Sequence, residues 1–287
     1  MTDQDFPALF RSSDNLSKRS QTIFLATLGV HLIALVAAAV LSVVGTSTFS
    51  LALTQLIILL IALGCSIYLS AARPDRYWYG GRALAESVKT ITWRYVSKAE
   101  PFHESDALAD AEFRNALKSI FEQNKDASSR LTDHLNGVQI TDGMRQMRSA
   151  PLSARRSTYA KSRIENQLTW YTKKAAFNRN RSSQLFLLLI ATNSLAVLFG
   201  VLRFNYLTSP FWPTDVIVAT AASLLSWMQA RRFSELAASY TLAAHEISLI
   251  REKAHLPDTN EKFSKFVGDA ENAFSREHTQ WAARKDQ

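Results

Sequence analysis

From Ser20 to Ala72 the chain carries no Asp, Glu, Lys or Arg, with Lys18 and Arg19 before the run and Arg73 and Arg76 after it. A helix needs roughly 20 apolar residues to cross the hydrocarbon core, and the run divides into Ile23 to Val44 and Leu51 to Ser70 around Gly45-Thr-Ser-Thr-Phe-Ser50. It predicts a membrane hairpin with a short exposed turn. A cleaved leader would show one shorter apolar core, whereas here a second, equally apolar run follows at once. Ser182 to Leu202 is again uncharged, and a further apolar segment from Phe211 to Met228 is interrupted by Asp215. The uncharged core of that last segment, Val216 to Ala230, is about 15 residues, short of the roughly 17 that spanning takes. Phe211-Trp212-Pro213 supplies an interfacial anchor and a helix start that restore the length. The pattern predicts four spans in two hairpins, at about 22–71 and about 183–229, with a re-entrant or partly buried fourth segment as the alternative.

The polar remainder repeats apolar residues at helical spacing. Leu84, Val88, Ile91 and Tyr95 share one face of a helix over Trp78 to Val96, and Ser105-Asp106 opens an acidic helix reaching about Gln123. Asn136-Gly137 and Asp142-Gly143 mark a loop region, about Asp126 to Pro151, which divides the chain into halves at 1–150 and 151–287. Beyond it, Ser153 to Asn180 reads as a basic helix running into the third span without Gly or Pro. The fourth segment likewise runs on without a breaker through Phe233, Leu236, Tyr240 and Ile247, so that Val216 to Ala254 predicts one helix of about 39 residues, roughly 58 Å. Pro257-Asp258 breaks it, and Asn260 to Ala283 forms a last amphipathic helix. No segment alternates with period two. The prediction is an all-α integral membrane protein whose long cytoplasmic helices form a bundle.

Charge sets the orientation. Arg11, Lys18, Arg19, Arg73, Arg76 and Arg82 flank the outer ends of the first hairpin, and Lys173, Lys174, Arg179, Arg181, Arg231 and Arg232 flank the second, against Arg203 alone in its turn. The positive-inside rule then puts both termini and everything between the hairpins in the cytoplasm. The net charge of +8 raises the question of nucleic acid, but eight bases against the single acid Glu165 fall between Pro151 and Ser182, beside a membrane boundary. Anionic lipid headgroups and topology account for them better than a phosphate backbone does.

Candidate chemistry is sparse. Cys65 is the only cysteine, and six scattered histidines show no metal-ligand spacing. No phosphate loop, nucleophile elbow or His-acid constellation appears, so the sequence predicts neither an enzyme nor a cofactor or metal site. His103-Glu104 and His245-Glu246 read as loop and helix-surface features. Within the spans, His31 lies near the middle of the first, where a neutral imidazole bonded to a neighbouring helix and a pore-lining or pH-responsive role are both open. Asn193 and Ser194 in the third span, with Ser223 and Ser226 in the fourth, are candidates for interhelix bonds or a polar path. Ala34, Ala38 and Ser42 form a small-residue stripe suited to close helix contact.

Two stripes outside the spans share a composition. Arg82, Glu86, Lys89 and Trp93 lie on one helix face, as do Arg163, Gln167, Trp170 and Lys174. The first half carries Trp78, Gly81, Arg82, Ala85, Glu86, Ser87, Lys89, Trp93, Arg94 and Tyr95 after its hairpin, and the second carries Tyr159, Arg163, Gln167, Trp170 and Tyr171 before its own, with Glu271, Glu277 and Trp281 near the end. In these residues the chain resembles the SLATT superfamily of bacterial two-helix membrane effectors, with two SLATT-type halves in tandem. The resemblance implies an antiphage role beside a sensor, a nucleotide synthetase or a reverse transcriptase. It also implies that the protein oligomerises and permeabilises or depolarises the cell membrane when triggered. A membrane scaffold that conducts nothing and recruits a partner is the alternative. A small transporter fits less well, because the spans lack the charged pairs and Gly or Pro breaks of a midplane substrate site.

Overall fold

In a computed structural model that describes residues 1–45, 48–205 and 212–283, the ordered elements are helices. After a 3-10 turn at Asp3–Asp5 come α1 (Ala8–Val44), α2 (Phe49–Ala72), α3 (Pro74–Val96), α4 (Asp106–Gln123), α5 (Lys125–Ser128) and α6 (Asp142–Ser149). Then follow α7 (Leu152–Tyr159), a π-turn at Ala160–Glu165, α8 (Asn166–Asn205), α9 (Thr214–Arg231), α10 (Phe233–Lys253) and α11 (Asn260–Ala283). Among the described residues no strand occurs.

Local chemistry explains most of the boundaries. Thr48 accepts a hydrogen bond from the Leu51 amide at the start of α2, and Thr141 does the same for Met144 at the start of α6, satisfying donors that have no partner inside the helix. Pro74 and Leu152 open α3 and α7 where a ring without an N–H, or a residue just after Pro151, costs no helical bond. Thr259 receives the Lys262 amide at 3.3 Å and starts α11.

One compact unit comprises Met1–Gln21, Asp75–Lys174 and Ser239–Gln287. Its core is aromatic: Trp93, Tyr95, Phe102, Phe113, Tyr159 and Phe263 are each buried. Tyr95 and Phe113 lie 4.7 Å apart between ring centroids, and Trp93 meets Phe6 at 6.1 Å and Tyr159 at 5.7 Å, both edge to face. Both sequence halves therefore fill one core. The N-terminal segment is held by the loop after α5: the Ala8 amide donates to the Val138 carbonyl at 3.1 Å and the Leu9 amide to Gln139 Oε1 at 3.1 Å. Gly81 lets α3 approach α1, since a Cβ there would meet Ser13 O and Ser17 N at 3.0 Å.

The other unit comprises Thr22–Pro74 and Ala175–Ala238. Three helical stretches of the chain, within Ala8–Val44, Phe49–Ala72 and Leu152–Phe204, are long and apolar enough to cross a membrane. Small buried residues Ala34, Ala38, Ala62 and Ala221 mark where helices of this unit pack closely. α9, 18 residues with Asp215 in its first turn and Arg231 in its last, is not among the three.

Two expectations need correction. The single helix from Val216 to Ala254 is broken at Arg232, whose φ of 49° and ψ of 39° place it in the left-handed region. No Gly or Pro announces the break. It closes through the Arg232 amide on the Met228 carbonyl at 2.9 Å and the Arg232 Nε on Glu235 at 2.7 Å. The loop region from Asp126 to Pro151 contains α6, nucleated by the Thr141 cap, and the end of α5. The basic helix entering the third span runs unbroken from Leu152 to Phe204 as expected, with the π-turn at Ala160–Glu165 inside it. Phe211, Thr46 and Ser47 lie outside the described residues.

Candidate functional site

The stripe on α3 and the stripe around the π-turn converge inside the first unit. Arg82 Nη2 reaches Glu86 Oε1 at 2.8 Å one turn on, an i,i+4 pair whose carboxylate is 6% exposed. Arg82 also lies 5.5 Å from the centroid of the Trp170 ring, and Lys174 Nζ lies 5.8 Å from the same ring. Trp170, Tyr171 and Tyr240 then pack together, with centroids 5.0 to 5.6 Å apart.

Deeper in, Arg163 sits on the π-turn, which widens the helix by one residue and aims the guanidinium at α11. Its Nε and Nη2 donate to Glu271 Oε1 and Oε2 at 2.8 and 2.7 Å, and the Tyr159 hydroxyl donates to the same Oε1 at 2.9 Å. The Arg163 and Glu271 side chains are 1% and 0% exposed. Burial alone would lower the Arg163 pKa, but Glu271, and more weakly Glu86, raise it above the ordinary value, so the guanidinium stays charged. Burial raises the Tyr159 pKa, and Glu271 adds to the effect, so the phenol remains a donor. Lys89 is shifted down by burial, which Glu86 opposes and Arg163 and Arg82 reinforce. Arg82, Glu86, Lys89, Arg163 and Glu271 thus form one electrostatic cluster drawn from both sequence halves.

The remaining motif residues have structural partners. Arg94 Nη2 donates to Asn272 Oδ1 at 2.7 Å and to the Gly268 carbonyl at 3.2 Å on α11. Tyr95 donates to Asp110 Oδ1 at 2.5 Å, and Arg145 reaches the other oxygen at 2.9 Å. Trp78 stacks on Tyr79 at 4.6 Å, and Gln167 is buried. Glu277 and Trp281 are carried by α11, and their side chains lie outside the described residues.

Two arginines that the sequence reading did not single out cap the end of α3. Arg148 Nη1 donates to the Tyr95 and Phe102 carbonyls at 2.7 and 2.8 Å, and Arg155 Nη1 donates to the Ser97 carbonyl at 2.6 Å. Cations are favoured there by the negative end of the helix dipole. Nothing in their local sequence separates them from the other bases of the region, because their acceptors lie 53 and 58 residues away.

The membrane candidates are dispersed over the second unit. His31 Nδ1 sits 3.0 Å from the Ala62 carbonyl and 3.4 Å from Ser66 Oγ, bridging α1 and α2. Asn193 and Ser194 are exposed on α8, Ser223 is half-buried and Ser226 exposed on α9. Among the described residues no hydrogen bond joins the α8 candidates to the α9 serines. Open grooves of about 400 and 410 Å³, one lined by Arg114, Lys118, Phe121 and Leu135 and the other by Arg76, Tyr77 and Asp126, lie apart from the buried cluster.

A buried cluster of this kind ties helices from both sequence halves together. Residues 7–156 match the family described as SMODS and SLOG-associating 2TM effector domain 3, and residues 159–281 match SMODS and SLOG-associating 2TM effector domain 1. The chain belongs to the SLATT superfamily. Its two SLATT domains stand in tandem, and the buried cluster joins α3 of the first to the π-turn and α11 of the second. Comparison with curated proteins and with solved structures finds no match.

Proposed function

We propose that this tandem SLATT protein is the membrane effector of a bacterial antiphage or conflict system, which oligomerises and permeabilises or depolarises the cell membrane when an associated sensor or second messenger triggers it. The observation that carries this reading is that both halves match families described as 2TM effector domains associated with SMODS and SLOG. Two such domains support four spans, with α9 as the fourth: 18 residues at 1.5 Å each give about 27 Å, close to the roughly 30 Å of hydrocarbon. The basic residues outside the spans favour an inner-membrane topology with both termini, and therefore the buried cluster, in the cytoplasm.

The cluster is suited to gating rather than catalysis. α8 carries Gln167, Trp170 and Tyr171 at one end and the apolar run at the other, so a repacking around Arg163 is imposed on a helix that enters the bilayer. No residue is assigned a catalytic role, and the protein acts without cofactor or metal. The trigger comes from an operon-encoded sensor, nucleotide synthetase or reverse transcriptase. A non-conducting scaffold is the second reading, and the groove beside Arg114 and Phe121 favours it as a place for a recruited partner.

Dye and ion release from liposomes holding the purified protein, with and without the neighbouring synthetase or its nucleotide product, separates the two. Triggered release is expected. Vesicles that stay intact in every condition overturn the effector reading and leave the scaffold.

A further inference from the structure

The uncharged run of α8 extends from Ser182 to Leu202 between Arg181 and Arg203, about 31 Å of helix, and Asn193 lies one residue from its centre. None of the residues in the most apolar stretch of this helix is buried. Phe186, Ile190, Val197 and Val201 are 55, 48, 67 and 54% exposed, and with Asn193 they follow one another at steps of four, three, four and four residues. That spacing puts all five on a single stripe, apolar except for one carboxamide.

The carboxamide is poorly served within the chain. Asn193 Nδ2 donates to the Leu189 carbonyl of its own helix at 3.0 Å, and among the described residues Oδ1 has no donor. Acyl chains offer it none, and an unbonded amide oxygen in hydrocarbon is unfavourable. The polar groups on α1 and α2 behave differently: His31 meets the Ala62 carbonyl and Gln55 Nε2 donates to the Ala38 carbonyl at 3.2 Å, so each is matched across a helix pair inside the subunit.

We propose that the outward stripe of α8 is a homotypic interface, in which Asn193 of one copy hydrogen-bonds Asn193 of a second. The amide is both donor and acceptor, so it complements itself across a symmetry axis, and the surrounding stripe has no charge that would select an oppositely charged partner. Exposed Ile190, Val197 and Val201 supply the packing on either side, while the buried Asn pair sets the register. This interface rests on the reading of α8 as a membrane span, and names the surface through which the proposed oligomer forms.

The test uses the full chain in lipid vesicles, with Cys65, the sole cysteine, replaced by serine. Val197→Cys in that background is expected to give a disulfide-linked dimer on mild oxidation, and Phe199→Cys, half-buried and on the opposite side of the helix from the stripe, is not. Adding Asn193→Leu is expected to lower the dimer yield on the order of tenfold, and Asn193→Gln to restore it. An Asn193→Leu protein that cross-links as well as its parent, equal cross-linking through Phe199→Cys, or no dimer through Val197→Cys overturns the interface. Dye release from the same vesicles keeps the two ideas apart. Release without Val197 cross-linking refutes this surface alone, and cross-linking without triggered release refutes the effector reading alone.

Discussion

Arg163 and Glu271, 108 residues apart in the chain, meet in two parallel hydrogen bonds of 2.8 and 2.7 Å with neither side chain reaching solvent. Two charges removed from water are costly to maintain, and the geometry offsets that cost only while both are present. Tyr159 completes the acceptor side by donating to the same carboxylate.

Glu271→Ala leaves a buried guanidinium unpaired, and a loss of about 3–5 kcal/mol of stability is expected. Thermal unfolding of the detergent-solubilised protein measures it. The double variant Arg163→Met with Glu271→Leu is expected to recover most of the loss, since it removes both charges at once. A double variant as unstable as the single one would show that packing, not charge pairing, dominates here.

Asp110 gives a pH dependence of defined sign. Burial alone would raise its pKa, but hydrogen bonds from Tyr95 and Arg145 and the charges of Arg145 and Arg114 hold it below the ordinary value of 3.8. A depressed folded pKa contributes stability that is present above the unfolded value and is lost as the pH falls through the folded one. The stability gap between the native protein and Asp110→Asn should therefore be full at pH 6 and close as the pH falls below about 4. A gap that is unchanged at pH 3 contradicts the assignment.

Gly81 is set by close approach of α3 to α1. Gly81→Val is expected to destabilise by about 1–3 kcal/mol, because the first added carbon already meets two backbone atoms at 3.0 Å. At Gly200, where among the described residues no atom apart from its own helix backbone and chain neighbours lies within 4 Å of the same carbon, Gly200→Ala should be close to neutral. Comparing the two unfolding temperatures checks the contrast.

Arg73 and Arg232 end α2 and α9 in the left-handed region, with φ of 43° and 49°. Glycine adopts that conformation without steric cost, so Arg73→Gly is expected to be neutral or to stabilise by up to about 1 kcal/mol. Arg232→Gly gains less, because it loses the bond to Glu235. A marked loss in Arg73→Gly, by the same measurement, would show that the arginine side chain itself holds the joint.

The sequence by itself determined what local chemistry controls. Unbroken uncharged runs mark the apolar stretches at 23–44, 51–70 and 182–202, which α1, α2 and α8 carry, because hydropathy and length need no partner. Ser105-Asp106 and Asn260 mark the starts of α4 and α11 in the sequence, although Ser105 makes no side-chain cap bond and Thr259 supplies the cap of α11. The Arg82, Glu86 and Trp93 stripe was visible as one helix face from its spacing. Only the tertiary structure decided where those faces go. Glu271 rather than a neighbour on the same helix is the partner of Arg163, Arg148 and Arg155 cap a helix end 53 and 58 residues away, and Arg232 turns the chain without a Gly or Pro. The partnerships of Arg163, Arg148 and Arg155 depend on contacts between segments distant in the chain. Their energies come from burial and hydrogen bonding in a shared core, and no window of adjacent residues contains them.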